Sequence, residues 1–290
     1  MQTAPTTQSP GVYRKKIGDI VVTAINDGVL HGNFGLVKGI EEAEGKKLLA
    51  SRFRSQEPIF TINCFVVHTG GKVVLIDSGC GKNTMFEAGA LPAALNAAGV
   101  SPDSVDTILM SHLHPDHAGG LASEDGRAVF PNAELLVHAD EAKFWLETAN
   151  PPAEMKPFFE VAQSAVKPYK DRMRSFTKGE VAPGIEAEPL PGHTPGHTAF
   201  HITSGNESLF MWTDIVHLPL LQSRNPDVCV AFDADPEQAK AHRKRVFDKV
   251  ATDRLLIAGS HLDFPTFSHL EKANDGGYVF IADVWRPYVR

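Results

Sequence analysis

Cysteine is scarce in this 290-residue chain, and Cys64, Cys80 and Cys229 stand far apart with no C-x-x-C pair among them. That spacing argues against a disulfide framework or a thiolate metal site and leaves the three as small buried hydrophobes. Apolar runs are short as well. No segment approaches the roughly 18 apolar residues of a membrane span, and the Thr-, Pro- and Gln-rich start Met1–Lys16 lacks the apolar stretch of a signal peptide. The expected location is therefore the cytoplasm, away from membrane. Basic charge is in deficit, with 28 Lys and Arg against 35 Asp and Glu and a formal net charge of -7. A nucleic-acid binder usually shows a basic face, so a small-molecule partner is the expectation. Also missing are a G-x-S-x-G elbow, a cysteine set beside a histidine base within a motif, and any short-period repeat.

What is present has the composition of an ordinary globular enzyme, 42% hydrophobic and 22% charged. The chain is long enough to bury a sizeable core. Residues 1–16 read as a flexible or partner-docking arm, and 17–290 as one domain. Strands are expected at Asp19–Ile25, Ile59–His68, Lys72–Ile76, Thr107–Met110, Glu134–Val137, Ala199–Thr203, Ser208–Trp212 and Leu255–Ala258. Helices are expected at Phe86–Ala98 closed by Gly99, at Asp140–Thr148 capped by Asp140, and at Asp235–Lys249. Residues 151–180, punctuated by proline and carrying Phe158, Phe159, Tyr169 and Phe176, read as an insertion with a helix near Pro157–Val166. Such an insertion is a candidate lid or subunit interface, and a homodimer is expected from it.

The densest signal is His112-Leu-His-Pro-Asp-His117, directly after the strand-like run ending at Met110. Imidazole nitrogen and carboxylate oxygen are ligands that borderline divalent metals accept. On extended backbone His112 and His114 face one side, while Asp116 and His117 follow where the chain can turn. One short segment can thus feed two adjacent metals. Further candidates sit in similar places: His193 in the glycine-rich turn Leu190–Thr198, Asp214 after Leu209–Trp212, and His261 after Leu255–Ala258. His197 competes with His193 for the ligand role. His68, His138, His201, His242 and His269 lack metal spacing and read as structural.

Taken together, H-x-H-x-D-H, a GH turn, a strand-end Asp and a strand-end His resemble the signature of the metallo-β-lactamase superfamily. Thr61–Asn63, Leu75–Gly79, Phe144-Trp145, Pro191–Thr198 and Ser260–Pro265 are similar to its lactonase and methyl parathion hydrolase branch. The resemblance implies an α/β fold, a four-layered αβ/βα sandwich with metals at one edge. It implies that His112, His114 and His193 hold one metal, that Asp116, His117 and His261 hold the other, and that Asp214 bridges them. Asp77 and His197 would then stand behind the site and orient ligands.

Two divalent ions, zinc first, with manganese, cobalt or iron as alternatives, could share a bridging hydroxide and polarise a substrate oxygen. Asp116 and His217 are the candidate catalytic groups. Phe144, Trp145, Phe158, Phe159, Leu218 and Phe264 are candidate pocket walls, and an apolar pocket suits a lactone, an aryl ester or an organophosphate ester. One departure from the resemblance is His217, three residues beyond Asp214, where many acyl-homoserine lactonases carry tyrosine. Alternatives are a thioester or β-lactam hydrolase, an iron-dependent redox enzyme, and a non-catalytic metal-binding module.

Overall fold

Alternation of apolar side chains decides how the strands stack. In the segment Cys64-Phe-Val-Val67, Cys64 and Val66 enter one core while Phe65 and Val67 enter another, so this strand is buried on both faces. The structure is a computed structural model describing residues 4–82 and 87–289. In chain order the first half supplies β1 (Val12–Ile17), β2 (Ile20–His31), β3 (Val37–Lys38), α1 (Glu42–Ser51), β4 (Ile59–Thr69), β5 (Lys72–Ile76), β6 (Glu87–Ala88) and α2 (Leu91–Ala97). There follow β7 (Thr107–Leu109), α3 (Pro115–Ala118), β8 (Glu134–His138), α4 (Ala139–Glu147), α5 (Lys156–Val166) and β9 (Met173–Phe176). The second half supplies β10 (Gly179–Ala182), β11 (Ile185–Pro189), β12 (Thr198–Ser204), β13 (Glu207–Met211), α6 (Pro219–Arg224) and β14 (Cys229–Val230). It ends with α7 (Pro236–Thr252), β15 (Leu256–Ala258), β16 (Ser268–Lys272) and β17 (Tyr278–Ala282).

The first sheet runs β1-β2-β4-β5-β7-β8-β9, with β6 paired to β2. The second runs β10-β11-β12-β13-β15-β16-β17, and β3 with β14 makes a small separate ribbon. Val22, Phe65, Val67 and Leu109 of the first sheet meet Phe200, Ile202, Met211 and Ala258 of the second. Outside the first sheet, Leu91, Leu95, Trp145, Phe159 and Val166 from α2, α4 and α5 pack on Val66, Leu75, Ile108 and Leu135. Outside the second, Val246, Phe247 and Val250 of α7 pack on Phe210, Ile257 and Leu270. This is the four-layered αβ/βα sandwich expected from the resemblance.

Several local expectations need correction. Residues 12–16 are not part of an arm. They belong to β1, which pairs antiparallel with β2 from Val12↔Ile25 to Ile17↔Ile20. The helix expected from Phe86 begins at Leu91. Gly89 takes φ +95°, which breaks the run, and Glu87–Ala88 pair with β2 instead. Phe86 itself lies outside the described residues. The side chain that caps α4 is His138, accepting from the Asp140 N–H, because the chain leaves β8 directly into the helix. Within 151–180 the expected helix near Pro157–Val166 is present, and the stretch also holds a strand not expected from the sequence. The helix is α5, and the strand, β9, pairs parallel with β8 as an edge of the first sheet. All three cysteines are free and buried, as their spacing suggested. Among the described residues no helix is long and apolar enough to cross a membrane.

Candidate metal centre

Two parallel strand pairs, β5–β7 in the first sheet and β13–β15 in the second, send their loops to one edge of the sandwich. Asp77 follows β5, His112 follows β7, Asp214 follows β13 and His261 follows β15. Pro115 starts the single turn of α3, whose fixed φ at a helix start suits proline, and that turn swings Asp116 and His117 towards the same point. His193 arrives from the turn between β11 and β12.

The seven expected ligand residues converge. His112 Nε2 lies 3.0 Å from His114 Nδ1, His114 Nδ1 lies 2.9 Å from His193 Nε2, and His193 Nε2 lies 3.2 Å from His112 Nε2. On the other side, Asp116 Oδ2 is 3.5 Å from Nε2 of both His117 and His261. Asp214 Oδ2 stands between the two groups, 3.3 Å from His117 Nε2, 2.9 Å from His261 Nε2, 3.5 Å from His193 Nε2 and 3.7 Å from His112 Nε2. Each triad has the donor atoms and spacing to hold an ion.

The protons on hand do not satisfy this arrangement. Three imidazole nitrogens so close to one another cannot all be donor and acceptor in turn, and the buried His117 Nε2 and Asp214 Oδ1 have no hydrogen-bond partner. Divalent cations fit such a donor set of nitrogen and carboxylate oxygen. Burial pushes the pKa values of His112 and His114 well down, which keeps both rings neutral, the form that binds metal. Burial also disfavours charge on His117 and His261. The surrounding carboxylates outweigh it, Asp214 foremost, and raise both. Desolvation opposes charge on Asp214 too, but His117, His261 and His112 hold its carboxyl well below the usual range.

Hydrogen bonds behind the expected ligands fix their tautomers. Asp77, at φ +58°, accepts from His117 Nδ1 at 2.8 Å and from the Ser111 N–H and hydroxyl. His261 Nδ1 donates to the Thr61 carbonyl at 2.7 Å. His197 donates through Nδ1 to the Leu190 carbonyl and accepts at Nε2 from the Thr213 hydroxyl and the Asp214 N–H. Burial lowers its pKa to about 3, so it stays neutral and holds Asp214 from behind, while His193 turns Nε2 towards His112 and His114. Asp233 was not singled out from the sequence, yet its Oδ1 accepts from His193 Nδ1 at 2.8 Å. Its only local signal is its place beside Asp235-Pro236, which reads as a helix start.

His217 is fully buried, its ring stacked on His261 at 5.0 Å, and neither of its nitrogens has a hydrogen-bond partner. Its Nε2 comes within 3.2 Å of Asp214 Oδ2 without hydrogen-bond alignment. Burial brings its pKa down to about 4.

The candidate pocket walls divide. Phe158, half-buried, sets its ring edge-on to His114 at 5.9 Å. Trp145 touches His114 at 5.3 Å, but it is buried in the helix-facing core, and so is Phe159. Leu218 sits in a satellite core with Phe60 and Leu221. Phe144 lines a surface cleft of about 800 Å³, with Lys143, Pro191, Gly192, Pro195 and Gln238, on the outer side of the His193 turn. Phe264 is partly exposed and its ring lies near Gly11. Phe232, which the sequence did not single out, lies 6.4 Å from His217 and 6.0 Å from Phe60, and Phe60 lies 6.4 Å from His261.

Two His/Asp triads sharing a carboxylate at the edge of an αβ/βα sandwich define a metal-dependent hydrolase of the metallo-beta-lactamase class. The family model for the metallo-beta-lactamase superfamily matches residues 58–261, and the chain belongs to that superfamily. Within it the chain is lactonase-like. N-acyl homoserine lactonase AiiA of Bacillus thuringiensis subsp. kurstaki is 24% identical over 217 residues, covering 68% of this chain and 80% of that protein. The crystal structure of hydrolase AbOPH in the beta lactamase superfamily superimposes with a TM-score of 0.90 at 33% identity, covering 97% of this chain and 100% of the other. AidC, described as a dizinc quorum-quenching lactonase in complex with a product N-hexnoyl-L-homoserine, gives 0.89 at 26% identity, covering 96% and 99%.

Proposed function

We propose that this chain hydrolyses a small lactone, with an N-acyl homoserine lactone as the first substrate to test, at a centre of two divalent ions, most simply zinc. The observation that carries this reading is Asp214 Oδ2, which has ligand nitrogens of both triads within 3.7 Å of it. His112, His114 and His193 would hold one ion, Asp116, His117 and His261 the other, with Asp214 shared. Ions held there would polarise the substrate carbonyl and lower the pKa of a water to near neutrality. Asp116, whose side chain is 18% exposed, is the ligand placed to take a proton out towards solvent. His217 is neutral near pH 7, so its role is to donate a hydrogen bond to a substrate oxygen rather than to act as a charged acid. Phe158 and Phe232, both half-buried, give the approach an apolar wall that suits an acyl chain, with the buried Phe60 packed behind Phe232.

That uncharged wall also supports a second reading, hydrolysis of aryl esters or organophosphate triesters. Zinc-, manganese- and cobalt-loaded protein should be assayed against lactones of graded acyl length, aryl esters and a paraoxon-like triester. Lactones should show the highest kcat/KM, and chelation should abolish turnover. Metal-replete protein that turns over triesters but no lactone would replace the first reading with the second.

We propose further that the protein works as a homodimer. The support differs from what the sequence suggested: the aromatics Phe159 and Tyr169 of 151–180 are core, whereas Val279, Ile281, Val284, Trp285 and Val289, all within one stretch of sequence, are each exposed.

A further inference from the structure

We infer that Glu141 is a positioning residue that assembles the His112/His114/His193 seat by holding both ligand-bearing loops from behind. Glu141 lies in the first turn of α4 and is fully buried, with nothing of it reaching solvent. Each of its oxygens serves one loop. Oε1 accepts from the N–H of Leu113, the residue between His112 and His114, at 2.9 Å, and from the indole N–H of Trp145. Oε2 accepts from the Thr194 hydroxyl at 2.7 Å and the Gly196 N–H at 2.9 Å, in the turn that carries His193. Trp145 in turn sets its ring against His114.

The geometry has room for little else. A Cβ on Gly196 would come within 2.4 Å of the Glu141 backbone nitrogen, so only glycine lets the turn approach the helix this closely. A buried carboxylate is costly unless its lone pairs are filled, and here four donors fill them. The first turn of a helix also favours negative charge. The two loops lie about 80 residues apart in sequence, and one carboxylate fixes their relative position. Asp77 has a parallel place behind the other seat, through Ser111 and His117. Glu141 touches no ligand side chain itself, so its effect passes through backbone and Trp145.

The inference rests on the reading of the triads as metal seats, and the test separates the two. Zinc binding to the full-length chain, stripped with a chelator, is followed by competition with a chromophoric chelator. Wild type should show two binding steps, and His193→Ala identifies the step that belongs to this seat. In Glu141→Gln the amide N–H₂ must face donors on one side or the other. That variant should lose about 10- to 100-fold in the His193-dependent step, the range typical of residues that orient ligands, and stay within about threefold in the other. Thr194→Val removes only one of the four bonds and should weaken the same step by about 3- to 10-fold in a protein whose circular dichroism is unchanged. Two unaltered steps in folded Glu141→Gln and Thr194→Val would overturn the inference, as would an equal loss in both steps that tracks lowered stability. Wild type that takes up no zinc would remove the metal reading and this inference with it.

Discussion

A buried imidazole with both nitrogens unpaired is an expensive thing to keep, and His217 is one, set against Asp214 and His261. Substrate oxygen is the partner it lacks in the proposed reaction. Replacing it with Phe keeps a ring and removes both nitrogens. His217→Phe should lower kcat on the best lactone by about 10- to 100-fold, or roughly 1.4–2.7 kcal/mol of transition-state stabilisation, with metal content intact. Full activity, or loss of a metal, would make His217 a packing residue or a ligand. Wild type should hold two ions per chain; Asp214→Ala should lower that number and abolish turnover, while His242→Ala, on the outer face of α7, should do neither. Elemental analysis beside the assay decides both. At this scale the residues that converge on the site were legible because each announces itself locally, in a six-residue motif, a glycine-rich turn or at the end of an apolar strand. Asp233 and Glu141 were not, because what they bond is fixed only when distant loops meet.

Among the elements, α5 shows how an aromatic pair can be misread. Phe158 and Phe159 are neighbours in sequence, but on a helix adjacent residues point about 100° apart. Phe159 falls on the stripe with Ala162 and Val166 that packs into the core, and Phe158 turns towards His114. Proximity to a motif could not separate them without knowing which face of the helix is covered. Phe159→Ala should therefore cost about 3–5 kcal/mol in urea unfolding and leave zinc stoichiometry unchanged. Phe158→Ala should cost far less stability and change KM instead. A large stability loss at Phe158 with KM unmoved would exchange the two assignments. Other elements were plain from pattern alone, such as β5, whose bounds match the apolar run Lys72–Ile76. The helix expected from Phe86 failed at Gly89, where one left-handed residue outweighs a favourable stretch of neighbours.

For the molecule as a whole, the apolar residues exposed along Val279–Val289 set the next expectation. Trp285 is 67% exposed, and a monomer seldom leaves a large aromatic open in a stretch of sequence that exposes four aliphatic residues as well. Light scattering at micromolar concentration should give a dimer mass, and Trp285→Lys should shift it towards the monomer with specific activity per chain retained. A wild-type monomer would sink this expectation. The spread of the ligands along the chain has a kinetic consequence. They run from His112 to His261, a separation of 149 residues (261 − 112), and come from both sheets. Metal held by them would be a tertiary cross-link that could close only after both halves have docked, late in folding. Contacts absent from the transition state slow unfolding and leave the folding rate nearly untouched. In a denaturant series, saturating zinc should lower the unfolding limb and barely move the refolding limb, so that the ion acts less as a guide to the fold than as a latch on it.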